Sequence, residues 1–170
     1  MRIRAIMARN VALIAGFFLI ASQAQANPTA YAKYKDWSVF ISETAGDRVC
    51  YAVTEATEKA PGSARHGDVF FYVSQRPKSG VLFQPSLKVG FDLHEDLTGL
   101  VSIGRSKWTL FSSGNEAFVR DTDDAGLIRQ LERGSKLRVE AVSQRNTQVT
   151  YHFSLAGSSN AIEKAAQACS

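Results

Sequence analysis

Apolar and polar residues alternate along most of the chain after residue 36, and this pattern limits the possible folds more than any other feature. In segment 36–42, DWSVFIS, the alternation places Trp37, Val39 and Ile41 on one face of an extended strand. Segment 68–75, DVFFYVSQ, is apolar on both faces, which is typical of a strand that is covered on both sides or lies centrally in a sandwich. The pattern therefore predicts a β-sheet protein.

Turn residues divide the alternating region into about eight short strands. We therefore predict an all-β, mainly antiparallel fold: a β-sandwich or jelly-roll-like single domain over residues 27–170, with two short helices, one of them C-terminal. An eight-stranded barrel is the main alternative. Residues 57–67, TEKAPGSARHG, are expected to form a long polar loop.

Two segments have helical spacing instead. Residues 121–134 begin with acids and end at a glycine, as the helix dipole and C-cap preferences favour. Residues 158–169 form the second predicted helix, and Asn160 is expected to cap it. Ile162 and Cys169 share an apolar stripe in this helix, which predicts that the cysteine faces a sheet.

Residues 1–26 have the order of a secretory signal peptide: a basic start, an apolar run over residues 11–21, and small residues at Ala24 and Ala26. The run is shorter than the roughly 20 apolar residues of a membrane-spanning helix, although an uncleaved anchor remains the alternative. We expect cleavage near Ala26 and a mature chain without a transmembrane segment. Its location would be the periplasm, or outside the cell at the outer envelope.

The charge of the chain gives little reason to expect a nucleic-acid partner. The formal net charge is +4 and the pI is about 9.2. Three of the positive charges, on Arg2, Arg4 and Arg9, belong to the predicted signal peptide. Because the other basic residues are scattered, no basic patch is evident in the mature sequence.

The chain contains two cysteines, Cys50 and Cys169. An exported chain meets an oxidising compartment, so we predict that they form a structural disulfide. Such a bond would close a loop of roughly 120 residues, worth about 4 to 5 kcal/mol in the chain-entropy model, and would hold a terminal helix that otherwise frays. Two free thiols or a redox pair are the alternatives, but no C-x-x-C motif is present.

One segment resembles a calcium-binding loop. Counted from Asp121, acids stand at positions 1, 3 and 12 of DTDDAGLIRQLE, so Asp121, Asp123 and Glu132 are the candidate metal ligands. However, Ala125 offers no side-chain oxygen at position 5, and Arg129 places a cation at position 9. A capped helix with acids in its first turn is therefore the preferred interpretation, and we predict no metal and no cofactor.

No catalytic site is evident. The three histidines are far apart in sequence, and the cluster His94, Glu95 and Asp96 favours a polar turn over a metal site. Motifs of serine hydrolases, zinc proteases and nucleotide-binding loops are missing from the sequence. Three aromatic residues could line a sugar or peptide groove, although positions in the core are the preferred interpretation. They are Trp37, Trp108 and Tyr72.

Several segments, taken in order, resemble the invasion-associated locus B family of small exported proteins from Gram-negative bacteria. They are DWSVFI, CYA at Cys50, VFFYVSQRP, and the stretch from KWTLFSSGNEAF to the final alanine-rich AAQAC. Ser158 departs from the family pattern, where an aromatic residue is frequent, and VSQRNTQVTY lacks the glycine usual after its arginine. The resemblance covers nearly the whole mature chain and depends on order and spacing.

The resemblance implies a compact all-β domain with a cysteine bridge, in the periplasm or at the outer envelope. Family members have been linked to bacterial entry into host cells. We therefore predict a non-enzymatic envelope protein that binds an envelope or host-surface protein or glycan and contributes to entry. The alternatives are an envelope glycan hydrolase, which needs two convergent carboxylates, and a calcium-dependent adhesin.

Overall fold

A computed structural model describes residues 27–44 and 46–170, and the predicted signal peptide lies outside these residues. The described chain forms eleven strands: β1 (Thr29–Tyr34), β2 (Trp37–Thr44), β3 (Asp47–Glu55), β4 (Glu58–Ala60), β5 (Phe70–Arg76), β6 (Val81–Lys88), β7 (Gly99–Ile103), β8 (Ser106–Ser113), β9 (Glu116–Phe118), β10 (Lys136–Val142) and β11 (Gln148–Ser154). The helices are α1 (Asp121–Arg133) and α2 (Ser158–Cys169), and a 3-10 turn (Pro77–Ser79) follows β5.

The strands are antiparallel to their neighbours, in the order β1-β2-β3-β5-β6-β9-β8-β7-β10-β11-β4. We call the part from β1 to β9 sheet A and the part from β7 to β4 sheet B. Strand β8 belongs to both, because its residues 106–110 pair with β7 and its residues 111–113 pair with β9. It therefore forms one corner between the sheets.

A second corner lies between β3 and β4, where the chain changes partner within two residues. The Ala56 N–H donates to the carbonyl of Val69, just before β5 in sheet A (2.9 Å). The next N–H, of Thr57, donates to the carbonyl of His152 in sheet B (2.8 Å). The first corner joins the sheets through β8, the second joins β3 of sheet A to β4 at the end of sheet B, and the sheets face each other as in a sandwich.

The inner faces of the two sheets share one hydrophobic core. Phe71 of sheet A and Phe153 of sheet B pack with ring centroids 5.8 Å apart. Trp37 is fully buried, and its indole N–H donates to the carbonyl of Ser154 in the opposite sheet (2.9 Å). The predicted all-β, mainly antiparallel fold with two helices is confirmed.

Helix α2 packs on β2 and β3 and covers the end of the core. Its buried face is built largely from alanine, with Ile162 as the one bulky member, so the helix lies close to the sheet. A hydroxyl joins the two helices, since Ser158 donates to the carbonyl of Leu131 in α1 (2.6 Å). At the other end of α2, Cys169 is bonded to Cys50.

Two details of the sequence prediction are wrong. The expected polar loop 57–67 contains β4, which pairs with β11. This pairing uses backbone hydrogen bonds, so β4 does not need the apolar alternation by which strands are recognised in a sequence. Helix α2 is capped by Gly157 and not by Asn160, which lies within its first turn. Gly157 has a φ of +93°, a conformation that glycine adopts readily and that precedes the helix here.

Candidate binding face

Aromatic side chains cover the outer side of sheet A, on the surface that points away from the core. The same strands bury Cys50, Phe71 and Leu87 on their inner side, so the aromatic residues occupy the alternate positions. All of them are partly exposed, and Phe111 is 37% exposed. We call this set the aromatic face: Phe40, Tyr51, Phe70, Tyr72, Phe111 and Phe118.

The register of the strands places four of these rings in one continuous group. Phe40 lies opposite Tyr51, and the two rings stack with centroids 5.6 Å apart. Tyr51 then contacts Tyr72 on the next strand at 5.5 Å, and Tyr72 contacts Phe70 at 6.0 Å. Such ring pairs favour these tilted and offset arrangements and stabilise each other.

A small residue opens a hollow within the aromatic face. Ser86 of β6 lies directly between Tyr72 and Phe118 in the sheet register, so two rings stand on either side of a short side chain. The strands that carry the rings are about 9.5 Å apart, twice the ordinary strand spacing. The resulting hollow has a volume of about 270 Å³.

Hydrogen-bonding side chains surround this hollow. The Arg76 guanidinium donates to the amide oxygen of Gln84 (2.6 Å), and both residues line the hollow. On another side, the Lys88 ammonium pairs with Glu116 (2.8 Å), and both of these side chains are more than a third exposed. The hollow therefore offers rings for apolar contact and planar polar groups for directional hydrogen bonds.

The tyrosine hydroxyls of this face have pKa values that burial raises further above neutral pH. Burial raises the pKa of Tyr51 above its usual value. It also raises the pKa of Tyr72 to about 12, with smaller contributions from neighbouring Tyr51 and the Glu116 carboxylate. Both hydroxyls consequently remain hydrogen-bond donors at any pH the protein meets.

The three aromatic residues named from the sequence have different positions. Trp37 is a core residue. Trp108 is partly buried against the core, beside Gly126 of α1. Tyr72 is the one that belongs to the aromatic face.

The candidate calcium ligands do not converge. Residues 121–133 form the continuous helix α1, with Asp121 and Asp123 in its first turn and Glu132 in its last. At about 1.5 Å of rise per residue, Asp121 and Glu132 are separated by about 16 Å along the helix axis. In residues 27–44 and 46–170, no group of three or more acidic, histidine or cysteine side chains could hold a metal ion.

The three histidines lie in different places. The buried His66 ring contacts the Tyr151 hydroxyl through Nδ1 (3.1 Å) and the Pro61 carbonyl through Nε2 (2.9 Å). His152 lies 2.7 Å from the carboxylate of Glu58, which links β11 to β4. His94 is part of the polar turn that precedes β7, where its carbonyl accepts a hydrogen bond from Leu97.

Cys50 and Cys169 form the predicted disulfide, with an S–S distance of 2.01 Å and a sequence separation of 119. Cys50 is fully buried on the inner side of sheet A, opposite the aromatic face. The bond therefore holds the last turn of α2 against the inner side of sheet A. The outer side of the same strand, β3, carries Tyr51.

Sequence reasoning did not identify the aromatic face as a site. Alternation marked segment 68–75 as apolar on both sides, which was the available signal. What the sequence could not show is that the rings on the outer side of these strands keep part of their surface exposed. A second apolar side was therefore interpreted as buried, whereas Phe70 and Tyr72 are partly exposed.

No helix within the described residues is long and apolar enough to cross a membrane. The disulfide fits an extracellular or periplasmic protein.

The family model described as "Invasion associated locus B (IalB) protein" matches residues 37–166. This is not a known enzyme family. A search of the curated proteins and a search of the solved structures gave no match to the chain. The matched segment begins with β2 and ends within α2, so it includes all five strands that carry the aromatic face. On this match, the chain belongs to the invasion associated locus B family.

Proposed function

We propose that this protein is an exported, non-enzymatic binding module of the cell envelope that holds a partner protein or a surface glycan on the aromatic face. The single observation that carries the proposal is the continuous group of partly exposed rings on the outer side of sheet A. A contribution to host-cell entry is part of the proposal, because family members have been linked to that process.

The composition of the face supports binding. Tyrosine, phenylalanine and arginine are enriched at interfaces, where rigid rings bury a large area at a low cost in conformational entropy. Monomeric proteins seldom leave a large contiguous apolar patch on their surface without a use for it. The rings that flank Ser86 would receive one flat side chain or one sugar ring, with Arg76 and Gln84 as hydrogen-bonding partners.

The chemistry of the hollow favours binding over hydrolysis. A glycoside hydrolase uses two carboxyl groups that flank the scissile bond. Glu116 supplies a single carboxylate among the described residues that line this hollow, and it is paired with Lys88.

The test is capture from envelope extracts combined with a glycan array, using purified disulfide-bonded protein. We expect the wild-type protein and the Leu97→Ala variant to bind the same partner or glycan. A double variant that carries Tyr72→Ala and Phe118→Ala should not bind it. Leu97 is a suitable control because it is an exposed apolar residue, 42% accessible, outside the aromatic face. Equal binding by the double variant and the control would overturn the proposal.

A further inference from the structure

A second and larger hollow, of about 690 Å³, shares no residue with the aromatic face. It lies between segment 61–67 and the hairpin turn 143–147, and its volume is in the range of small-molecule sites. Arg65 projects from the first of these segments and Arg145 from the second, and both side chains line the hollow.

The segment that carries Arg65 is fixed by its neighbour. Because the Pro61 carbonyl can only accept, His66 donates to it through Nε2 (2.9 Å) and accepts the Tyr151 hydroxyl through Nδ1 (3.1 Å). The His66 ring also meets the buried Tyr151 ring edge-on, with centroids 5.4 Å apart. This wall of the hollow is therefore attached to the core.

The opposite wall is equally well defined. Within the hairpin turn, the Ser143 N–H donates to the Thr147 carbonyl (2.9 Å) and the Ser143 hydroxyl accepts the Thr147 N–H (3.1 Å). The Gln144 N–H donates to the carbonyl of Asp92 (2.9 Å), which attaches the turn to the segment that carries Phe91. Two walls of the hollow are thus joined by a backbone hydrogen bond, and the wall that carries Arg65 is attached to the core through the His66 side chain, so the hollow is formed in advance of any ligand.

Arg65 and Arg145 are both exposed. Some other arginines are engaged, since Arg138 pairs with Glu140 (2.7 Å) and Arg76 donates to Gln84. Across the part of the chain that the structure describes, Arg65 and Arg145 form no side-chain hydrogen bond and no ion pair. With Asp92 as the one acid among the lining residues, the hollow has an excess of positive charge.

We propose that this hollow binds an oxyanion group, a phosphate, a sulfate or a carboxylate, between Arg65 and Arg145. A planar guanidinium matches these groups with two parallel hydrogen bonds, and two of them on separate walls would hold the anion from both sides. Phe91 is partly buried in the third wall and offers apolar contact to the carrier of the anion. Asp92 would accept a hydroxyl or amide hydrogen from the same carrier.

The test is an NMR titration of ¹⁵N-labelled, disulfide-bonded protein with inorganic phosphate, compared with sodium chloride at matched ionic strength. We expect saturable shifts of the amide signals of residues 65 and 143–147 with phosphate and none with chloride. Parallel titrations with sulfate and acetate then distinguish a tetrahedral from a carboxylate ligand.

Matched variants test the assignment to the two arginines. Arg65→Gln and Arg145→Gln should each weaken binding at least tenfold, as expected for the loss of charge-assisted hydrogen bonds, and Arg65→Lys should weaken it less. Arg105→Gln, an exposed arginine in the turn between β7 and β8, should leave it unchanged. Unsaturable shifts in the wild type, or equal affinity in the Arg65, Arg145 and Arg105 variants, would overturn the proposal.

Discussion

Gly157 is the residue that determines how α2 meets the first two strands. Its φ of +93° lies in a region that other residues rarely adopt. A Cβ atom at this position would also overlap the carbonyl oxygen of Tyr34, the last residue of β1. Glycine is therefore required for two separate reasons, the backbone conformation and the close approach of β1.

We predict that Gly157→Ala lowers the free energy of unfolding by about 3 kcal/mol, from the strained backbone together with the overlap. Gly104→Ala is the matched control, because Gly104 also has a positive φ (+58°) but has no atom within 4 Å of an added Cβ. The control should lose only about 1 kcal/mol. Urea denaturation of both variants checks this, and equal losses would contradict the proposed contact with Tyr34.

Asp124 gives a second prediction at this scale. Burial, and then the charges of Asp121 and Asp123, raise its pKa to about 6. The folded protein therefore binds this proton more tightly than the unfolded chain does, whose ordinary value is 3.8. The stabilisation of the folded state that comes from this proton is complete below about pH 4 and is lost as the pH rises through about 6.

Asp124→Asn should accordingly remove this part of the pH dependence, so that the fall in melting temperature between about pH 4 and pH 6 becomes shallower than in the wild type. Thermal unfolding across this range measures the slope. Asp96→Asn is the control, because it removes the same charge from an exposed loop. A wild-type slope in the Asp124 variant would show that this carboxyl does not titrate as described.

At the scale of elements, α2 depends on the disulfide as well as on its alanine-rich face. The bond between Cys50 and Cys169 closes a loop of 119 residues and attaches the last turn of α2 to β3. The unfolded chain loses conformational freedom when the bond is present, which stabilises the folded state. The helix end would otherwise fray.

Replacing both cysteines with serine should lower the free energy of unfolding by about 4 kcal/mol. Amide exchange in α2 should accelerate more than in α1, which carries no bridge. Chemical denaturation measures the loss of stability, and hydrogen exchange detected by mass spectrometry compares the exchange rates of α2 and α1. Unchanged exchange in α2 would mean that packing alone holds the helix.

The two helices and the bridge were predicted from the sequence, whereas strand β4 and the cap of α2 were not. The bounds of α1 and α2 follow from acids, glycines and apolar spacing, which are local signals. Strand β4 was missed because its partner, β11, lies about ninety residues further along the chain, and backbone pairing leaves no trace in a polar sequence. The cap at Gly157 depends on Tyr34, again a distant residue.

At the scale of the whole molecule, the two corners leave sheet A with a covered and an uncovered side. The alternation of apolar and polar residues shows which residues share a side of a strand. Whether other elements cover that side depends on how the whole fold is assembled. The aromatic face and the Arg65–Arg145 hollow both arise from that assembly. For this reason neither could be named from the sequence, although Tyr72 was among the candidates.

Phe70 and Phe71 are adjacent residues on opposite sides of sheet A and provide a matched pair. We predict that Phe71→Ala costs about 4 kcal/mol of stability, as for a fully buried ring. Phe70→Ala should cost about 1 kcal/mol, because its ring is partly exposed on the aromatic face. Chemical denaturation of the two variants measures these losses of stability. Similar losses would contradict the partial exposure of the outer side of sheet A.

The most direct test of the binding proposal is site-specific photo-crosslinking in living cells. A photoreactive phenylalanine analogue would replace Phe118 on the aromatic face, or Leu97 or Leu82 elsewhere on the surface, both of which are exposed. We predict that Phe118 gives a discrete crosslinked partner, that the two control positions do not, and that Tyr72→Ala reduces the Phe118 product. Crosslinking of equal yield and pattern at all three positions would contradict the claim that the aromatic face is the binding surface.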